Sequence, residues 1–172
     1  MTSTGPWWAA PLIAVIGTVS GVVLTLLVSG RRENRSRFGE QRRTVYAEFL
    51  SACDELARVV VWPTPRVAQA VDTTAVVERI RAAAMHTVLV AHGTVTKRLT
   101  AVLAAAEALA GTIEQIRATG KPGHQGAVDE HHRPRHTEAS TAFFAALNEF
   151  AKAARADIDV RTPFEPVFPI AG

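Results

Sequence analysis

The chain has 172 residues, of which 48% are hydrophobic but only 6% aromatic, with a formal net charge of +3. With a membrane span set aside, that length suits one domain with one core, and apolar content dominated by Ala, Val and Leu favours helices over a β-sandwich. The excess of base is too small to point to nucleic acid, and a lone Cys53 excludes an intramolecular disulfide, in keeping with a reducing compartment.

No Asp, Glu, Lys or Arg precedes Arg31, and the uncharged run from Pro11 to Ser29 is long enough for a helix to cross a hydrocarbon core of about 30 Å. Trp7 and Trp8 stand where an interfacial aromatic belt belongs, and Pro11 suits a first helical turn, where its missing N–H leaves nothing unpaired. A collar follows in which Arg31, Arg32, Arg35, Arg37, Arg42 and Arg43 outnumber Glu33 and Glu40. Arginine is retained on the cytoplasmic side during insertion, so the expected topology in the inner (plasma) membrane is N-terminus outside and C-terminus inside. The charges follow the span instead of preceding it, which argues against a cleaved signal peptide. Within the span Gly17, Gly21 and Thr25 lie on one face and offer a close-packing surface for a homodimer.

Beyond the collar, Val45, Phe49, Ala52 or Cys53, Leu56 and Val60 recur at helical spacing, widened by Tyr46 and Leu50. This first helix is expected to end at Trp62-Pro63 and to carry an Asp54–Arg58 surface pair. Asp72, Thr73 and Thr74 supply capping oxygens for a second helix with Val76, Val77, Ile80, Ala83, Ala84 and Val88 on its apolar face. A break is expected at His92-Gly93-Thr94, with Gly93 in a left-handed terminal position and Thr94 capping the next helix, the alternative being one long helix through Gly93 at a cost of about 1 kcal/mol relative to Ala. The third helix has the clearest stripe: Leu99, Val102, Leu103, Ala106, Leu109, Ala110, Ile113 and Ile116. Glycines and a proline between Thr119 and Gly126 mark a turn, followed by a polar segment over 129–136. From Thr137 the helical pattern returns through Phe143, Leu147, Phe150, Ala154 and Ile158. Pro163, Pro166 and Pro169 repeat every third residue, which suits an extended tail. Such a tail can serve as a docking peptide for an aromatic groove of a partner, while Phe164, Val167, Phe168 and Ile170 give it the means to fold back on the helices, the preferred reading.

Four apolar-faced helices bury their stripes most simply in an antiparallel bundle. The expected fold is therefore all-α, an N-terminal transmembrane helix followed by a bundle of about four helices. The expected organisation is an extracytoplasmic tail over 1–10, the span over 11–30, the basic collar over 31–43, a cytoplasmic bundle over 44–160 and an extended tail over 161–172.

His124, His131, His132 and His136, with Asp129 and Glu130, form the only dense set of metal-ligating residue types. Zinc needs fixed geometry and supporting hydrogen bonds, whereas this set falls in a Gly/Pro-bearing segment without Cys or HExxH, so His131, His132 and His136 are weak candidates. Cys53 falls on an apolar stripe as a small core residue, and His86 and His92 read as surface or capping histidines. There is no phosphate-binding glycine loop, dinucleotide fingerprint or nucleophile elbow, so neither an enzyme nor a cofactor is expected.

The order of span, arginine collar, the run Arg42-Arg43 with Tyr46, Phe49-Leu50 and Ala52, and the late Phe150-Ala-Lys-Ala-Ala-Arg155 resembles small single-pass membrane proteins common in actinomycetes. That resemblance implies a membrane-tethered helical domain and brings no functional residues with it. The leading expectation is a membrane-anchored interaction or scaffold protein whose partners are the bilayer and another protein. The alternatives are a metal sensor or enzyme using loop 124–136, and a membrane-active protein assembling through its anchor.

Overall fold

The computed structural model describes residues 39–63, 70–122, 127–166 and 168. The chain divides into two compact units, Met1–Gln41 and Arg42–Gly172, and the described residues belong almost wholly to the second. The expected span, the interfacial Trp7, Trp8, Arg31, Arg32, Arg35 and Arg37, and the packing stripe of Gly17, Gly21 and Thr25 lie outside the described residues.

Among the described residues the chain is all-helical and has no strand. Helix α1 covers 39–57, α2 runs Thr73–Val90, α3 runs Gly93–Thr119 and α4 runs Arg133–Asp157. Pairs across the helices fix an up-down-up-down order. Arg79 of α2 meets Glu55 late in α1, while Arg42 at the start of α1 reaches Val90 O at the end of α2. Thr73 and Arg81 of α2 meet Glu114 and Glu107 of α3 in descending order. Arg98 of α3 pairs with Glu149 of α4, and Tyr46 of α1 with Asp157 of α4.

The core is built from one stripe per helix: Tyr46, Phe49, Cys53 and Leu56; Val76, Ile80 and Ala84; Val95, Leu99, Val102, Ala106, Leu109, Ile113 and Ile116; Phe143, Leu147, Phe150 and Ala154. Phe49 and Phe150 are fully buried with ring centroids 4.8 Å apart, and each contributes about 1.5–3 kcal/mol by leaving water. Buried Thr87 and Thr112 satisfy their hydroxyls by donating to the carbonyls of Ala83 and Ala108 one turn back. Among the described residues α3 is the one helix long and apolar enough to cross a membrane. Its hydropathy is accounted for by its buried face, which packs against both α2 and α4.

The helices depart from the sequence expectations at three ends and at one position of an apolar face. Helix α1 stops at residue 57 instead of Trp62-Pro63, because Val59, Val60 and Val61 are β-branched and the carbonyls of Val60 and Val61 find another donor. Arg117 donates Nε to Val61 O at 2.9 Å, Nη2 to Val60 O at 3.0 Å and Nη1 to Val71 O at 2.9 Å. Val88, expected on the apolar face, is 49% exposed. Gly93 is the first residue of α3, and Ala91 ends α2 in an extended conformation (φ −80°, ψ 145°), so two residues suffice to reverse the chain. Helix α4 begins four residues before Thr137, because Asp129 Oδ1 accepts from His132 N at 3.0 Å and Pro134 fits the first turn.

Other local features follow the sequence. Asp72 caps α2 by accepting from Thr74 N and Ala75 N, and Asp54 pairs with Arg58 at 2.5 Å. Gly120 ends α3 where a Cβ would stand 2.8 Å from Ile116 O and 3.1 Å from the His132 ring. Helix α4 closes in a Schellman arrangement, with Val160 N bonding Arg155 O, Asp159 N bonding Ala156 O, and Asp159 left-handed at φ 58°. The chain then folds back: Asn148 Nδ2 donates to Phe168 O at 3.2 Å, Phe168 N donates to Asn148 Oδ1 at 3.3 Å, and Phe168 stacks on Phe144.

Replacing Arg117 with Ala strips three carbonyls of their donor and is expected to cost about 2–3 kcal/mol in urea unfolding. Hydrogen exchange of the amides from Val59 to Trp62 and of Val71 is expected to accelerate more than that of the α3–α4 core.

Candidate functional site

The side chains with the most chemistry gather at the two ends of the bundle. At the end where the chain arrives from residue 41, the carboxylate of Asp157 in the last turn of α4 is only 10% exposed. Its Oδ2 accepts from the Tyr46 hydroxyl at 2.7 Å and lies 3.4 Å from Arg42 Nη1, while Oδ1 lies 2.9 Å from His92 Nδ1. Arg42 Nε also donates to Val90 O at 3.0 Å. One carboxylate thus joins α1, the α2–α3 turn and α4. Burial, then the hydrogen bond to Asp157, pushes the Tyr46 hydroxyl far above its ordinary range, so it stays a proton donor. An aspartate beside a histidine resembles half of a nucleophilic constellation, but the Thr96 hydroxyl, one turn on, donates to the backbone carbonyl of His92 at 3.3 Å and not to its ring. What the group does with its polar atoms is tie helices together.

At the opposite end the candidate metal-ligating residues do not converge. His131 and His132 meet edge to face at 5.1 Å between ring centroids, and His132 Nε2 lies 3.4 Å from Thr119 Oγ1. Asp129 is occupied with the backbone of His132, whose N–H holds its carboxyl below the usual range. His136, one turn into α4, is half-buried, and desolvation lowers its pKa. Among the described residues no group of three or more His, Cys, Asp or Glu side chains could hold a metal ion, and His124 lies outside them.

Cys53 is fully buried on α1, and desolvation pushes its thiol up to about 12, which removes it as a nucleophile. His86 is an exposed residue on α2. Between α2 and α3 an open groove of about 290 Å³ is rimmed by Glu78, Arg81, Glu107 and Glu114, with Val77 and Ala110 at its floor. Arg81 spans it, bonded to Glu107 at 2.7 Å and to Glu78.

The Asp157 constellation and the exposed Met85, Val88 and Leu89 were not anticipated from the sequence. Both leave a trace there. Asp157 lies seven residues after Phe150 and three after Ala154, so it extends a buried face with a charge that must find partners on other helices. Met85, Val88 and Leu89 share a face that diverges from the one carrying Ile80 and Ala84.

Removing the acceptor in Asp157→Ala leaves the Tyr46 hydroxyl without its acceptor and Arg42 without its carboxylate, and is expected to cost about 2–4 kcal/mol. Tyr46→Phe loses one charge-assisted bond, about 1.5 kcal/mol, and chemical unfolding of the two variants measures both. The pKa of His136 is lowered from 6.5 in the fold, so the unfolded chain binds its proton first as pH falls below that value. Stability is therefore full above pH 6.5 and declines as pH falls towards the folded pKa. In His136→Gln the drop in unfolding midpoint between pH 7.5 and 5.5 is expected to be smaller than in the unaltered chain. Comparison with protein-family models, with curated proteins and with solved structures finds no match for this chain.

Proposed function

We propose that the chain is a single-pass membrane protein whose helical bundle, on the cytoplasmic side, binds another protein and holds it at the bilayer. The observation that carries this reading is the use made of the reactive side chains. Asp157, Tyr46 and Arg42 bond one another across helices, Arg117 holds backbone carbonyls, and Cys53 is enclosed. The groups suited to chemistry are spent on rigidity. What remains at the surface is the α2–α3 groove, open along its length and rimmed with paired charges, a form suited to a protein surface more than to an enclosed small molecule. The uncharged run over 11–29 and the arginines after it support the tether and its direction.

The test is crosslinking of the full chain in its native membrane, followed by affinity recovery. A defined protein, crosslinked through residues on α2 or α3, is the expected result; recovery of lipid alone would overturn the reading. A reporter active only in the cytoplasm, fused after Gly172, is expected to be active, and an expressed but silent fusion would reverse the topology.

A further inference from the structure

Met85 is 71% exposed, Val88 49% and Leu89 83%, and these are the large apolar side chains left in water among the described residues. They are spaced i, i+3 and i+4 in the last turns of α2, so they form one continuous apolar surface. Its place in the fold is fixed by Arg42, whose Nε donates to Val90 O immediately beyond Leu89. The apolar patch therefore stands at the end of the bundle where the chain arrives from residue 41. The twelve residues 30–41 separate that end from the uncharged run and can reach at most about 43 Å fully extended. Exposed Arg43 at the start of α1 and exposed Lys97 in the first turns of α3 belong to the same end.

We propose that the C-terminal turns of α2 form a second membrane contact, with Met85, Val88 and Leu89 entering the boundary between headgroups and acyl chains of the leaflet in which the N-terminal span ends. This inference rests on the anchored reading above and adds to it a fixed orientation of the bundle on the bilayer. Three apolar side chains alone bind lipid weakly, but a tether holds them at high local concentration, so little affinity is needed for them to remain engaged. Arg43 and Lys97 at that end complement anionic headgroups, with exposed Glu40 and Asp159 offsetting part of that charge. One turn earlier on the same face Arg81 is paired with Glu78 and Glu107, so the apolar surface stops there and the charged groove begins.

The test places a nitroxide on single cysteines in the full chain reconstituted in vesicles of phosphatidylcholine and phosphatidylglycerol. Met85→Cys and Leu89→Cys probe the patch, and Lys121→Cys, exposed after α3 at the opposite end, is the reference. Native Cys53 is fully buried and does not compete for the label. Collision with oxygen relative to a water-soluble nickel chelate is expected to be severalfold higher at positions 85 and 89 than at 121. Access of nickel to position 89 equal to that at 121, in chains that float with the vesicles and resist alkaline extraction, overturns the inference and leaves the anchor standing. Loss of access to both reagents at 89, with spin–spin broadening, overturns it in favour of a second copy of the chain. Chains that do not float overturn the anchored reading and this inference with it.

Discussion

Taking a carboxylate out of water costs several kcal/mol unless donors meet it, and Asp157 is nearly enclosed. Its position is therefore tenable only while Tyr46 and Arg42 of α1 and His92 of the α2–α3 turn stand around it. That requirement links the ends of all four helices. The apolar stripes hold the helices together without specifying much about their relative height, because Ala, Val and Leu tolerate sliding. A charge that must find three donors from separate elements specifies that height closely. Arg117 does the same at the other end for the carbonyls of Val60, Val61 and Val71, so the bundle is pinned at both ends by a charged group whose partners come from elsewhere in the chain.

How far the sequence anticipates this depends on whether the deciding interaction is local. The stripe from Leu99 to Ile116 has period 3.6 and little competing signal, and α3 forms where that pattern runs. The Asp72 cap involves atoms two and three residues away, and it is present. The end of α1 is another matter. Val59 to Val61 can continue a helix or leave it, and what decides is Arg117, more than fifty residues on. The start of α4 was hidden by Pro134, which reads as a breaker in a polar segment and acts as a first-turn residue once Asp129 has turned the chain.

The candidate site divides along the same line. Cys53 on an apolar stripe is a core residue, which its neighbours at i±3 and i±4 already suggest. Of the histidines of 131–136, His131 and His132 keep their rings in contact just ahead of α4, whereas His136 stands one turn into the helix, and no set of metal ligands forms among the described residues. Density along a chain and convergence in space separate wherever a helix starts. The Asp157 group shows the reverse: its members are spread over 116 positions from Arg42 to Asp157 and become one constellation only in the folded bundle.

The placement of Arg42 also bears on how the bundle carries force. A pull transmitted along the chain from its N-terminal side reaches the first turn of α1, and there Arg42 is already fastened to the end of α2 and to the end of α4. Tension is thus shared among α1, α2 and α4 before the Phe49–Phe150 contact is strained, and one arginine side chain spreads the load.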